Sequence, residues 1–188
     1  MSDARLRGQA RAAGDPEAAA ALLRARQRSG ELPTWRLELA AYCGDANARQ
    51  LLPDAVQGPP EPNDWAWGLA RWGKPVLVRA GVLAARAVAA EVEVGFSHEG
   101  LPAVIEAAAD WSEEPSEERA QEAHLLLLRL GRLSAFLPLA AVAHAISQPL
   151  HGLDQDAVRS VGYVLRIAES AGVGPKVRAG LAAWALGE

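Results

Sequence analysis

A chain this poor in residues that suit a pleated sheet has little choice but helix. Alanine occupies 40 of the 188 positions, while isoleucine occupies three, threonine one (Thr34), phenylalanine two and tyrosine two. Alanine loses no side-chain freedom in a helix, whereas strands favour the β-branched and aromatic residues that are scarce here, valine apart. The composition predicts an all-α fold. Half of the residues are apolar, enough to build a core without disulfides or metal.

Helix punctuation divides the chain further. Asp15-Pro16-Glu17 offers an N-cap, a first-turn proline and an early acid, and Gly30 closes that segment. A second helix is expected over 33–42. Gly44-Asp45 ends it and caps a third, which Pro53 stops. The stretch 53–63 holds four prolines and a glycine and reads as a linker. Asp64 is the expected cap of a short helix with Trp65, Trp67 and Trp72, and Lys74-Pro75 opens the longest helix, over 74–93.

That long helix is apolar almost all round. Its polar residues Arg79, Arg86 and Glu93 recur every seven positions as one narrow stripe, which predicts a central position. Further helices are expected over 102–111, 117–130 (capped by Ser116), 134–147, 154–170 and 174–186. In the fourth of these, Ala157, Val158, Val161, Val164, Leu165 and Ala168 form a core-facing stripe. Short connections imply antiparallel neighbours. The expectation is one α-helical domain over 1–188, an antiparallel array of nine or ten helices. It is either HEAT-like or an irregular bundle, with a sub-boundary at 53–63 separating an N-terminal unit (1–52) from the main array (64–188).

Several function classes lose support at this level. The single cysteine, Cys43, allows no internal disulfide and fits a reducing compartment. No secretory leader is evident, and Arg129, Gly131, Arg132 and Pro138 interrupt the one stretch that approaches membrane-span length. A cytoplasmic protein without membrane contact is expected. His98, His124, His144 and His151 include no pair at i, i+4 spacing, so no metal site is expected. His124 and His144 read as hydrogen-bonded core residues. Residues 172–177, Gly-Val-Gly-Pro-Lys-Val, echo a phosphate loop, but the glycine spacing is wrong and no strand precedes them. Cys43 lies at a helix end, where nothing activates a thiol. No catalytic residue and no cofactor is expected.

Surface chemistry is more informative. Net charge is −4, yet residues 1–36 carry seven arginines against four acids. Asp110, Glu113, Glu114, Glu117 and Glu118 crowd five carboxylates into nine positions at a helix junction. They lack calcium-loop spacing, and Glu117 and Glu118 suit a helix N-terminus. Such a run is tolerated in solvent or against a basic partner. Trp65 and Trp67 fall on different faces of one short helix, so one of them is a candidate partner anchor.

Two segments resemble known families. Residues 15–52, with Leu37-Glu38-Leu39-Ala40-Ala41-Tyr42-Cys43-Gly44-Asp45, resemble the helix pairs of HEAT-like repeat proteins. Residues 72–184 are similar to all-α bacterial immunity proteins. The residues that carry this are Ile105-Glu106-Ala107-Ala108-Ala109-Asp110-Trp111 and Pro115-Ser116-Glu117-Glu118 after an alanine-rich helix. That family has an Asp-x-Arg-Pro segment where this chain reads His98-Glu99-Gly100-Leu101-Pro102, with only the proline shared. The resemblance implies a small protein that binds and neutralises a toxin without catalysis.

The expected function is therefore non-catalytic protein–protein binding of an immunity type, with Asp110, Glu113, Glu114, Glu117, Glu118, Trp65 and Trp67 as the partner-binding residues. One alternative is a HEAT-like nucleic-acid binder acting through Arg5, Arg7, Arg11, Arg24, Arg26 and Arg28. The other is a helical-bundle enzyme. The oligomeric state is left open.

Overall fold

A computed structural model describes residues 16–91, 100–129 and 155–188. Among them there are helices and no β-strand: α1 (Pro16–Arg28), α2 (Thr34–Tyr42), α3 (Ala46–Leu51), α4 (Pro62–Leu69), a 3-10 turn (Ala70–Trp72), α5 (Lys74–Glu91), α6 (Leu101–Glu113), α7 (Glu117–Arg129), α8 (Gln155–Ser170) and α9 (Gly174–Leu186). The fold is an all-α multi-helix array. The helix expected over 134–147, Glu93, His98, His144, His151 and the arginines at 5, 7 and 11 lie outside the described residues.

Local chemistry explains most boundaries. Asp45 caps α3, its Oδ1 accepting from the Ala48 amide at 2.8 Å. Ser116 caps α7, its Oγ accepting from the Arg119 amide at 3.2 Å. Asp64 does not cap α4. The helix starts earlier, with Glu61 as an N-cap that makes no side-chain bond and Pro62 in the first turn, which places Asp64 inside the helix. Proline's fixed φ suits the first turn, so it takes the start that the acid would otherwise mark. Between α4 and α5, Gly73 adopts φ 92°, a conformation that side chains with a Cβ rarely reach.

The chain divides into two compact units, residues 1–58 with 181–188, and residues 59–180. In the first, α1 and α2 both pack on α3. Leu23, Leu32, Leu37 and Ala48 are buried there, as are Leu181 and Leu186 from α9. Arg26 of α1 secures that return of the chain, with Nη1 donating to the Leu186 carbonyl at 2.7 Å and Nε to Glu31 at 2.9 Å.

The second unit is built around α5 and α8. Helix α8 packs on α4 and on α5, α6 packs on α5, and α7 packs on α6. All six residues of the α8 stripe are buried. So are Val76, Leu77, Val78, Val82, Ala84, Ala85 and Val88 of α5, which gives that helix the central place its sequence suggests. Gly162 lets α8 approach α4 closely. A Cβ built there would stand 2.8 Å from Asn63 Oδ1 and 3.7 Å from Ala66 Cβ. Arg178 lies over the Trp65 ring, 4.4 Å from its centroid, and donates to the Pro59 and Pro60 carbonyls at 2.9 and 3.0 Å. It thereby ties the start of this unit to α9's first turns.

Candidate partner-binding surface at the α6–α7 junction

The acidic run straddles the end of α6 and the start of α7. Trp111 anchors the junction from within. Its ring is 1% exposed, and Nε1 donates to the Ser116 carbonyl at 3.2 Å. Ser112 is buried and its Oγ donates to the Ala109 carbonyl at 2.7 Å. Arg119 folds back from α7, with Nη1 donating to the Asp110 carbonyl at 2.9 Å and Nη2 to Glu114 Oε2 at 2.7 Å. A buried indole and one arginine therefore fix the turn that presents the carboxylates.

All five carboxylate residues are exposed, but they are not equivalent. Glu113 pairs with Arg79 of α5, whose side chain is only 11% exposed. Burial pushes the Arg79 guanidinium below its ordinary value, Arg86 pushes it the same way, and Asp110 and Glu106 oppose them. Glu106 also accepts from Arg86 Nη2 at 2.8 Å through each of its oxygens. The polar stripe of the long helix thus meets the acids of α6. Two members of the run, Glu113 and Glu114, are held by arginines. Glu117 and Glu118 form no ion pair among the described residues.

From those two residues an exposed stripe runs along α7. Glu117, Gln121, Leu125 and Leu128 lie on one face, with Glu118, Glu122 and Arg129 beside them. Leu125 is 48% and Leu128 61% exposed. Glu118, Gln121, Glu122, Leu125, Leu126 and Arg129 line a shallow concavity of about 450 Å³. In the sequence, Leu125–Leu128 looks like continuous core text, which conceals the exposed pair. Only the burial of Ala123 beside them shows which side of α7 faces inward.

The two tryptophans separate clearly. Trp65 is 2% exposed, so its role as a partner anchor is corrected to a core role beneath Arg178. Trp67 is 47% exposed on α4. Among the described residues the main packing partner of α4 is α8, and α4 has no substantial packing on α6 or α7.

The other expected sites fare differently. Arg24 and Arg28 are exposed, but Arg26 is engaged by Glu31 and the Leu186 carbonyl and serves the fold. His124 is half-buried, and its buried Nδ1 has no hydrogen-bond partner among the described residues, against the expectation of a hydrogen-bonded histidine. Cys43 is buried. Gly174 starts α9, so residues 172–177 form a helix–turn–helix junction. No group of three or more metal-ligating side chains occurs among the described residues, and no described helix is long and apolar enough to cross a membrane.

No protein-family model, curated protein or solved structure is significantly similar to this chain.

Proposed function

We propose that this chain is a non-catalytic protein–protein interaction module, and that its contact face is the α6–α7 junction continued along the exposed stripe of α7. In its sharpest form this is an immunity-type role, in which the face covers a basic site on a toxin. One observation carries the reading. Glu117, Glu118 and Glu122, which form no ion pairs among the described residues, lie in helical register with the exposed Leu125 and Leu128. Carboxylates on the rim steer a basic partner toward the surface, while leucines at the centre supply the apolar area that holds it.

The test uses a partner recovered by pull-down from native lysate. Replacing Glu117, Glu118 and Glu122 together by glutamine is expected to slow association about tenfold at low ionic strength, with the difference shrinking as salt rises. Leu125→Ser with Leu128→Ser is expected to speed dissociation instead, since apolar contacts at the centre act on the off-rate. Stopped-flow traces that are identical for wild type and both variants would exclude this face.

A further inference from the structure

The first unit carries a second surface cluster of a different character. Arg36 of α2 lies over two indoles, its guanidinium carbon 5.3 Å from the Trp35 ring centroid and 5.4 Å from that of Trp184. Trp35 is 40% exposed, Trp184 is half-buried and Arg36 is half-buried. No hydrogen bond or ion pair engages the Arg36 guanidinium among the described residues. A guanidinium packed against rings offers its in-plane N–H groups at the edge, held in the fork geometry that a carboxylate accepts in bidentate fashion. Packing also restricts the side chain beforehand, so less freedom is lost on binding.

Its position sharpens the point. Arg36 lies in the first turn of α2, a turn without an acid and with no side-chain cap. A cation at a helix N-terminus opposes the helix dipole, and an anion docked on Arg36 would relieve that opposition. We propose that Trp35, Arg36 and Trp184 form a receiving site for a carboxylate carried by an acidic peptide segment of a partner. The surroundings decide between a peptide and a polyphosphate. The described part of this unit, residues 16–58 and 181–188, holds five arginines against six acidic side chains. That balance gives no extended basic field for a polyanionic backbone, and it leaves the Arg36 fork to hold a single carboxylate at short range rather than by long-range attraction. The exposed indole surface beside Arg36 favours a carboxylate flanked by apolar side chains over a small free anion. This proposal does not depend on the role of the α7 face.

The experiment titrates the full chain, at about 50 mM salt, with a short acetylated peptide bearing two glutamates flanked by leucines. Two-dimensional NMR follows the tryptophan indole signals. The expected result is saturable shifts of the Trp35 and Trp184 indoles, assigned from Trp35→Phe and Trp184→Phe. Arg36→Gln raises the dissociation constant at least about tenfold. Arg36→Lys, which keeps the charge but not the fork, also weakens binding, and Arg49→Gln, an exposed arginine of the same unit, leaves it unchanged. Circular dichroism melts identify any variant that fails to fold, and the Arg36→Lys and Arg49→Gln comparison then carries the test. The proposal is overturned if Arg36→Gln binds like wild type, if the glutamine version of the peptide binds equally well, or if millimolar peptide moves neither indole. Tighter, Arg36-dependent binding of a ten-nucleotide oligothymidine would overturn it in favour of nucleic acid.

Discussion

Side chains of the same type carry different weights in this protein. Glu113 and Glu118 are both exposed acids of one run, yet only Glu113 meets an arginine whose side chain is largely withdrawn from water. Removing that carboxylate takes away the acid paired with a largely buried cation and leaves it to the more weakly acting Asp110 and Glu106. Glu113→Gln is therefore expected to destabilise by about 1–3 kcal/mol, lowering the melting temperature by roughly 2–12 °C in a protein of this size. Glu118→Gln, which loses no ion pair and only a helix-dipole interaction, is expected to lower it by no more than about 2 °C. Paired thermal melts check both, and equal melting temperatures for the two variants would show that the Arg79–Glu113 contact contributes nothing. The contrast also limits how association is probed. Glutamine at Glu117, Glu118 and Glu122 changes the surface charge and removes only a small helix-dipole contribution at the start of α7, whereas glutamine at Glu113 also strips a counter-charge from a largely buried arginine.

At the level of elements, local signals were readable and distant ones were not. The caps by Asp45 and Ser116 are settled within three residues, so spacing alone identifies them. The buried stripe of α8 is equally plain, because its period is that of a helix lying on a core. The start of α4 is ambiguous in the sequence, because proline and aspartate compete for it within three positions. The Arg79–Glu113 pair and the Arg36–Trp184 stack join residues far apart in sequence, and no local pattern announces them. The exposed leucines of α7 are hidden in the sequence, because a run of four leucines does not reveal which of them face inward. The α4–α8 contact gives a direct test of packing. Gly162→Ala is expected to be nearly neutral, since only the Asn63 carboxamide must turn aside and helix propensity improves by about 1 kcal/mol. Gly162→Leu drives a side chain toward Asn63 Cα and Ala66 Cβ, and is expected to cost about 2–4 kcal/mol. Urea denaturation of the two variants distinguishes them, and equal midpoints would mean that the helices are not in close contact there.

For the whole molecule, the decisive feature is that residues 181–188 complete the unit begun by residues 1–58. Leu181, Ala185 and Leu186 are buried, and the Leu186 carbonyl holds Arg26. Ending the chain at Gly180 is expected to raise amide hydrogen exchange across α1 and α2 at least about tenfold. Exchange in α4, α5 and α8 should stay within about twofold of wild type, because their core lies within residues 59–180. Mass spectrometry of deuterated peptides resolves the two sets. Unchanged protection in α1 and α2 would show that the first unit is stable without those residues. The closure also has a consequence for biosynthesis. Gly58 and Leu181 are separated by about 120 residues, which a ribosome adds in roughly ten seconds. For that interval the nascent α1–α3 segment holds apolar surface that its own neighbours do not cover. The earlier-made segment is completed only after the unit that follows it, so chaperone demand should fall on that segment, and a ribosome stalled between residues 58 and 181 should leave it open to proteases.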